Sequence, residues 1–328
     1  MKKNMLLEVK ELKTHFNTRK GLVKAVDGIS FTVNRNEIMA LVGESGCGKS
    51  VTSRTIMGLI GYKKNEIISG KIFYKGKNLL EKSKEEMRQI RGNEISIIFQ
   101  DPMTSLNPLY TVGTQIAEVP IIHEKENKKS AWKRAVDMLK KVGIPSASSR
   151  AKQYPHQFSG GMSQRGVIGM SLVCQPDLLI ADEPTTALDV TIQSQILNLL
   201  VDLKDDFNSG IMLITHNLGV VAEVCDKVAV MYAGRLMERA GVSELFNNPS
   251  HPYTKGLLAS LPVPGKSKRL TPIKGQPPDL HDLPRGCRFF HRCPEAFGRC
   301  KKEAPPMFEV GDGHYSACWL EGDAVEKR

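Results

Sequence analysis

The chain has 328 residues, 41% of them apolar, with 46 Lys and Arg against 35 Asp and Glu for a net charge of +11. This length suits about two domains around a globular core, and no run approaches the ~18 apolar residues that a membrane span needs. Seven cysteines, an odd number, follow a basic start that is broken by charge before any apolar stretch. That pattern argues against a signal peptide and a disulfide framework and points to a cytoplasmic protein.

Residues 6–42 alternate apolar and polar, with turns expected at Arg19-Lys20-Gly21 and Asp27-Gly28, and read as short antiparallel strands. Glu37 to Val42 is an apolar run suited to a buried strand, and Val51 to Met57 continues as a helix. Between them stands Gly43-Glu44-Ser45-Gly46-Cys47-Gly48-Lys49-Ser50. Gly43, Gly46 and Gly48 let the backbone curl so that its N–H groups point at phosphate oxygens. Lys49 then reaches the β- and γ-phosphates, and the Ser50 hydroxyl is a ligand for Mg²⁺. Strand, glycine loop and helix come in the order that a nucleotide-binding loop requires, with Ser45, Cys47 and Val51 completing its lining.

Gly70 to Gly76 reads as a further strand and turn, residues 81–91 as a charged helix, and Ile95 to Phe99 as a core strand ending at Gln100. From about 101 to 175 the pattern is helical. Within it, His123 to Lys141 carries lysines on an amphipathic helix with Trp132, Val136, Leu139 and Val142 at helical spacing. The positive excess is therefore read as a solvated face, with no nucleic acid as partner. Leu178 to Asp182 is an apolar strand that ends in the carboxylates Asp182 and Glu183. With the glycine loop, these point to nucleotide hydrolysis. A helix from Ile192 to Asp206, a strand Ile211–Thr215, a helix through Val224 and a strand Val228–Met231 complete an α/β alternation, the pattern of a parallel sheet covered on both faces.

After residue 250 the composition shifts to Pro, Gly, Cys and His, and a separate loop-rich appendage is expected. Cys287, Cys293, Cys300 and Cys318 fall there without a C-x₂-C knuckle. Four thiolates suit either Zn²⁺ or an iron–sulfur cluster, the remaining alternative being unliganded or disulfide-linked cysteines. His291 and His314 are close enough in sequence to substitute as ligands.

Further motifs stand around these in a fixed order: Gln100, Phe158-Ser159-Gly160-Gly161-Met162-Ser163-Gln164-Arg165, Asp182-Glu183, Ala187-Leu188-Asp189 and Thr215-His216. Together they resemble an ATP-binding cassette (ABC) ATPase over nearly the whole chain. The resemblance implies an α/β P-loop ABC ATPase core over 1–250, with an antiparallel β subdomain and a helical subdomain at about 101–175. A small Cys-containing C-terminal region over 251–328 follows. Lys49, Gln100, Glu183 and His216 form the implied catalytic set, acting on ATP with Mg²⁺ held by Ser50, Gln100 and Asp182. Glu183 is the implied general base, and His216 contacts the γ-phosphate. Phe16 is a candidate for stacking on adenine. Ser159 and Gly161 would complete the ATP site of a second subunit in a head-to-tail dimer, with Asp189 at the same interface. The chain departs from the family at Ser163, where relatives usually carry a basic residue, and in the glycines of Gly166-Val167-Ile168-Gly169, which imply a softer helix.

Asp101 to Pro108, Asp182 to Thr191, Asn248-Pro249, His251 to Thr254 and Gly275 to Pro278 narrow the resemblance to ATPase subunits of oligopeptide and dipeptide importers, a group that includes nickel importers. That group implies a [4Fe–4S] cluster on Cys287, Cys293, Cys300 and Cys318, with Zn²⁺ as the alternative. It also implies a place on the cytoplasmic face of the membrane, transmembrane permease subunits as partners, and a second ATPase subunit, identical or related. An extracytoplasmic solute-binding protein would join through the complex. A DNA-maintenance ABC ATPase is the competing class, yet the chain shows no sustained heptads for a coiled coil. A redox-sensing role for the C-terminal cysteines is compatible with transport.

Overall fold

The computed structural model describes residues 4–186, 189–261 and 272–325. In chain order these form β1 (Met5–Thr18), β2 (Gly21–Asn34), β3 (Ile38–Val42), α1 (Lys49–Ile56), β4 (Glu66–Tyr74), β5 (Lys77–Asn78), α2 (Lys84–Ile90) and β6 (Ile95–Ile98). Next come α3 (Pro102–Ser105), α4 (Val112–Glu124), α5 (Lys128–Lys141), α6 (Ala147–Arg150), α7 (Gly160–Leu172), β7 (Leu178–Asp182), α8 (Val190–Phe207) and β8 (Gly210–Thr215). Then follow α9 (Leu218–Val224), β9 (Lys227–Tyr232), β10 (Arg235–Gly241), α10 (Val242–Asn247), α11 (Pro252–Ala259), α12 (Gly298–Lys302), β11 (Phe308–Gly311), β12 (His314–Ser316) and α13 (Trp319–Val325). The chain divides into two compact units. The first takes in residues through Leu6, Val33–Glu37 and Glu81–Leu213; the second takes in Leu7–Thr32, Ile38–Leu80 and the described residues from Ile214 on.

In the first unit, β6 and β7 pair in parallel, with Ile95 opposite Leu178 and Ile98 opposite Ala181, and β8 lies on the other side of β7. Every residue of β7 is buried, as expected of a parallel strand covered on both faces. The helical part packs α7 against α3, α4 and α5. On α5, Ala131, Ala135, Val136, Met138 and Leu139 are buried, while Lys128, Lys129, Lys133, Lys140 and Lys141 are exposed. The glycines of α7 face neighbouring helices. A Cβ on Gly166 would stand 3.4 Å from Val112 of α4, and one on Gly169 would stand 3.4 Å from Met138 of α5. Both are ordinary van der Waals distances, so α7 has room for a methyl at either position.

In the second unit, one antiparallel sheet has the order β2-β1-β4-β5. Where the sequence predicts several short strands, β1 and β2 run 14 residues each. The turn expected at Asp27-Gly28 is absent, since both residues lie inside β2. Asp27 is held there by His15 Nε2 at 3.0 Å, by Arg235 at 3.2 Å and by Arg288. Burial opposes ionisation of Asp27, but these partners hold its carboxyl below the usual carboxylate range. Elsewhere in the unit, β3 pairs in parallel with β9, and the sheet continues through β10 and β12 to β11. The stretch after residue 250, expected as an appendage, thus adds two strands to this sheet. Tyr232, Tyr253 and Phe289 fill the core beside it, with Val42, Val221, Val230 and Leu245 around them.

Candidate active site

In the first unit, β7 carries Asp182 to its end, 3% exposed, and Glu183 follows with φ 50°. A left-handed backbone at a residue other than glycine costs roughly 1–3 kcal/mol and persists where its surroundings hold it. Two side chains fix what this turn presents. Gln100 Nε2 donates to Glu183 Oε2 at 3.0 Å, and Thr186 Oγ1 donates to the same oxygen at 2.9 Å.

Two helix starts meet in the same unit. Ser159 caps α7, its Oγ accepting from Met162 N at 3.3 Å, and Asp189 caps α8, its Oδ1 accepting from Ile192 N at 2.9 Å. A Cβ on Gly161 would stand 3.2 Å from Ile192 Cγ2, whereas one on Gly160 would meet nothing within 4 Å. Ser159, Gly161 and Asp189, distant in sequence, are thereby brought together. Ala187 and Leu188, from the same expected motif as Asp189, lie outside the described residues.

In the second unit, the loop between β3 and α1 is shaped by backbone walls. A Cβ on Gly43 would fall 2.1 Å from Met231 O, and one on Gly48, at φ 110°, would fall 2.2 Å from Ala25 O. Gly46 has open space around it, and Ser45 beside it is exposed, so the tip of the loop faces outward. Lys49 is buried at the start of α1, its Nζ donating to Gly43 O at 2.8 Å and to Glu44 O at 3.1 Å. The loop is thus curled around its own lysine. Cys47 is buried, which pushes its thiol up, and its carbonyl accepts from Gly234 N at 2.9 Å. Ser50 and Val51 are half-buried on the first turn of α1. His216 directly follows β8 and is exposed, on a turn where Asn217 N donates to Thr215 Oγ1 at 3.0 Å. Phe16 is half-buried on β1 opposite Glu66.

Residues 26–186 match the family model described as "ABC transporter", and residues 237–300 match the one described as "Oligopeptide/dipeptide transporter, C-terminal region". The probable peptide ABC transporter ATP-binding protein y4tR of Sinorhizobium fredii is 49% identical, over 99% of this chain and 97% of its own. The dipeptide transport ATP-binding protein DppD of Bacillus subtilis is 52% identical, over 98% of this chain and 96% of its own. The chain belongs to the ABC transporter ATPases. The fold of this ABC ATPase agrees with solved cassettes. The MJ0796 cassette, determined as a dimer bound to ADP and Pi, superposes with a TM-score of 0.65 at 23% identity, covering 72% of this chain and 99% of that one. The cbiO1 structure from Clostridium perfringens gives a TM-score of 0.63 at 30% identity, covering 75% and 92%.

The C-terminal part of the ABC ATPase gathers its cysteines. Cys287, Cys293, Cys300 and Cys318 all line one small cavity, with His251, Pro252, Phe290 and Trp319 around them. All four are free thiols. Burial pushes the thiol of Cys287 up to about 11 and that of Cys318 up to about 12. Cys287 N donates to Cys300 O at 2.8 Å, which presses the first and third of the four segments together. His314, expected as a substitute ligand, is instead buried against Glu238, its Nε2 2.7 Å from Oε1. His291 packs its ring on Phe290.

Sequence reasoning did not single out Thr186 or Tyr253 in this ABC ATPase. Thr186 stands three residues after Glu183, within reach of a side chain that bonds locally. Tyr253, whose Oη accepts from Glu44 N at 3.1 Å, is 209 residues away and leaves no local signal.

Proposed function

We propose that this ABC ATPase energises import of di- and oligopeptides, working at the cytoplasmic face of the membrane with transmembrane permease subunits and a second ATPase subunit. The observation that carries this reading is near-full-length likeness to proteins named for peptide and dipeptide transport, together with the matched oligopeptide/dipeptide C-terminal region. Among the described residues no helix is long and apolar enough to cross a membrane. A solute-binding protein outside the membrane would select the peptide. Membranes carrying peptide-type permease subunits are expected to retain the purified chain and to take up labelled dipeptide when ATP is supplied inside. Retention by duplex DNA, with none by the membranes, would overturn the reading.

In the proposed chemistry, the N–H groups of Gly43 to Ser50 and the Lys49 ammonium hold the β- and γ-phosphates of ATP. Ser50, Gln100 and Asp182 offer hydroxyl, amide and carboxylate oxygens, the hard donors that suit Mg²⁺, which neutralises phosphate charge when bound. Glu183 takes the proton from the attacking water, with its carboxylate aimed by Gln100 and Thr186, and His216 orients that water. Ser159, Gly161 and Asp189 serve the partner subunit's nucleotide, and Phe16 stacks on adenine.

The C-terminal thiols fit a [4Fe–4S] cluster. Thiolates are soft ligands, and the four share one cavity with apolar walls. Among the described residues, no three of His, Cys, Asp and Glu close on a point as a single ion requires. Bound there, the cluster would tie four chain segments together and supply one-electron redox chemistry. Protein purified without oxygen is expected to carry about four irons and four acid-labile sulfides per chain, lost in Cys293→Ser. Stoichiometric zinc would replace the cluster with a structural clip.

A further inference from the structure

We propose that Arg292 is a positioning residue for the phosphate loop: reaching from the cysteine-bearing segment, it holds Glu44 and thereby sets the affinity of the loop for nucleotide. The inference rests on the reading above that residues 43–50 hold the phosphates of ATP. Glu44 is the second residue of that loop and is gripped at three points. Its N–H donates to Tyr253 Oη at 3.1 Å, its carbonyl accepts from Lys49 Nζ at 3.1 Å, and its carboxylate takes both arms of Arg292 at 2.6 and 2.9 Å. Two parallel N–H bonds from one guanidinium fix orientation as well as distance.

Arg292 is itself immobilised. Its side chain is 5% exposed, Nε donates to Lys274 O at 3.0 Å, and its terminal nitrogens also reach Tyr232 Oη at 3.2 Å and Ile273 O at 3.4 Å. The guanidinium lies 5.6 Å from the ring centre of Tyr232 and 5.9 Å from that of Phe289. Those rings pack on each other and on Tyr253, with centroids 4.7 to 5.4 Å apart. The hand that holds Glu44 is thus part of the core. A second arginine of the same segment braces the loop from behind. Arg288 donates to Ala233 O, and the next residue, Gly234, donates its N–H to the carbonyl of Cys47 in the loop.

Charge gives the arrangement its consequence for ATP. A carboxylate in a loop built for phosphate repels its ligand unless a cation neutralises it, and Arg292 is the cation placed to do so. Removing Arg292 therefore both loosens Glu44 and exposes the phosphates to its charge. Removing the charge of Glu44 at the same time relieves the second effect. A contact that merely stabilised the C-terminal region would show no such relief.

Binding of a fluorescent ATP analogue with Mg²⁺ to the full chain tests this, with thermal midpoints recorded for every variant. Arg292→Ala is expected to weaken binding about tenfold, Arg292→Lys by less, and the double variant Arg292→Ala with Glu44→Gln to recover most of the loss. Lys49→Ala, which removes the central cation of the loop, is expected to abolish binding. Binding within about twofold of the parent in Arg292→Ala would overturn the positioning role, and a double variant as weak as the single one would overturn the masking of the Glu44 charge by Arg292. If Arg292→Ala does not fold, Arg292→Lys compared with its own Glu44→Gln double variant decides by the same comparison. Unaltered binding in Lys49→Ala would instead overturn the reading of the loop as the phosphate site, a result separable from the other.

Discussion

Glu183→Gln is expected to slow ATP hydrolysis by about a hundredfold or more while leaving MgATP binding within about twofold of the parent chain. The substitution keeps the size of the side chain and one carbonyl oxygen, so the hydrogen bonds now donated by Gln100 and Thr186 to Oε2 retain an acceptor. Only the ability to take a proton is lost. Position 183 also keeps its left-handed backbone, which glutamine tolerates as glutamate does. Phosphate release over a single turnover, read beside analogue binding, separates the two effects. Undiminished hydrolysis would remove Glu183 from the chemistry and leave the bond from Gln100 as a structural one. Glu183→Ala is a less clean experiment, because it strands the donors of Gln100 and Thr186 as well as removing the base.

The features legible in the sequence are those whose physical cause is local. A glycine loop between an apolar strand and a helix announces itself, because the backbone conformation and the charge it must carry are written in eight consecutive residues. Helix starts also have local causes, since Ser159 and Asp189 each cap a helix through an N–H three residues on, although the sequence reading begins α8 at Ile192 and takes Asp189 for an interface residue. What sequence reasoning misplaced was decided by distant partners. Asp27-Gly28 has the composition of a turn, but Asp27 is claimed by Arg235 and Arg288, more than 200 residues on, and β2 continues past it with Gly28 at φ 83°. A Cβ on Gly166 or Gly169 of α7 would lie at ordinary contact distance from Val112 or Met138, neighbours that local propensity does not show. The cysteine spacing told that four thiols needed a reason, while only the fold shows them lining one cavity. The grip of Arg292 on Glu44 spans 248 positions and has no local signature.

A buried carboxylate with no place in the nucleotide chemistry marks where the C-terminal region is fastened, and removing it is expected to cost heavily. Glu238 lies on β10 with no exposed surface. Its carboxylate accepts from Ser250 N at 2.7 Å and from His251 N at 2.9 Å, at the entrance to α11, and faces His314 Nε2 of β12 at 2.7 Å. Glu238→Ala leaves these donors buried without an acceptor, and the second unit is expected to lose on the order of 3–5 kcal/mol. Glu238→Gln keeps one acceptor oxygen and turns an NH₂ group toward the remaining donors, so its cost should be roughly half as large. Urea midpoints at constant slope measure both, and a loss below about 1 kcal/mol for the alanine variant would show that water replaces the carboxylate. The damage should also be directional. Ala317 N, one residue before Cys318, donates to Met237 O at 2.7 Å beside Glu238, so a loosened β12 releases one wall of the cysteine cavity. Limited proteolysis of Glu238→Ala should therefore cut beyond residue 300 before it touches β7, because the strand that carries Asp182 belongs to the other unit and shares none of the bonds that Glu238 makes.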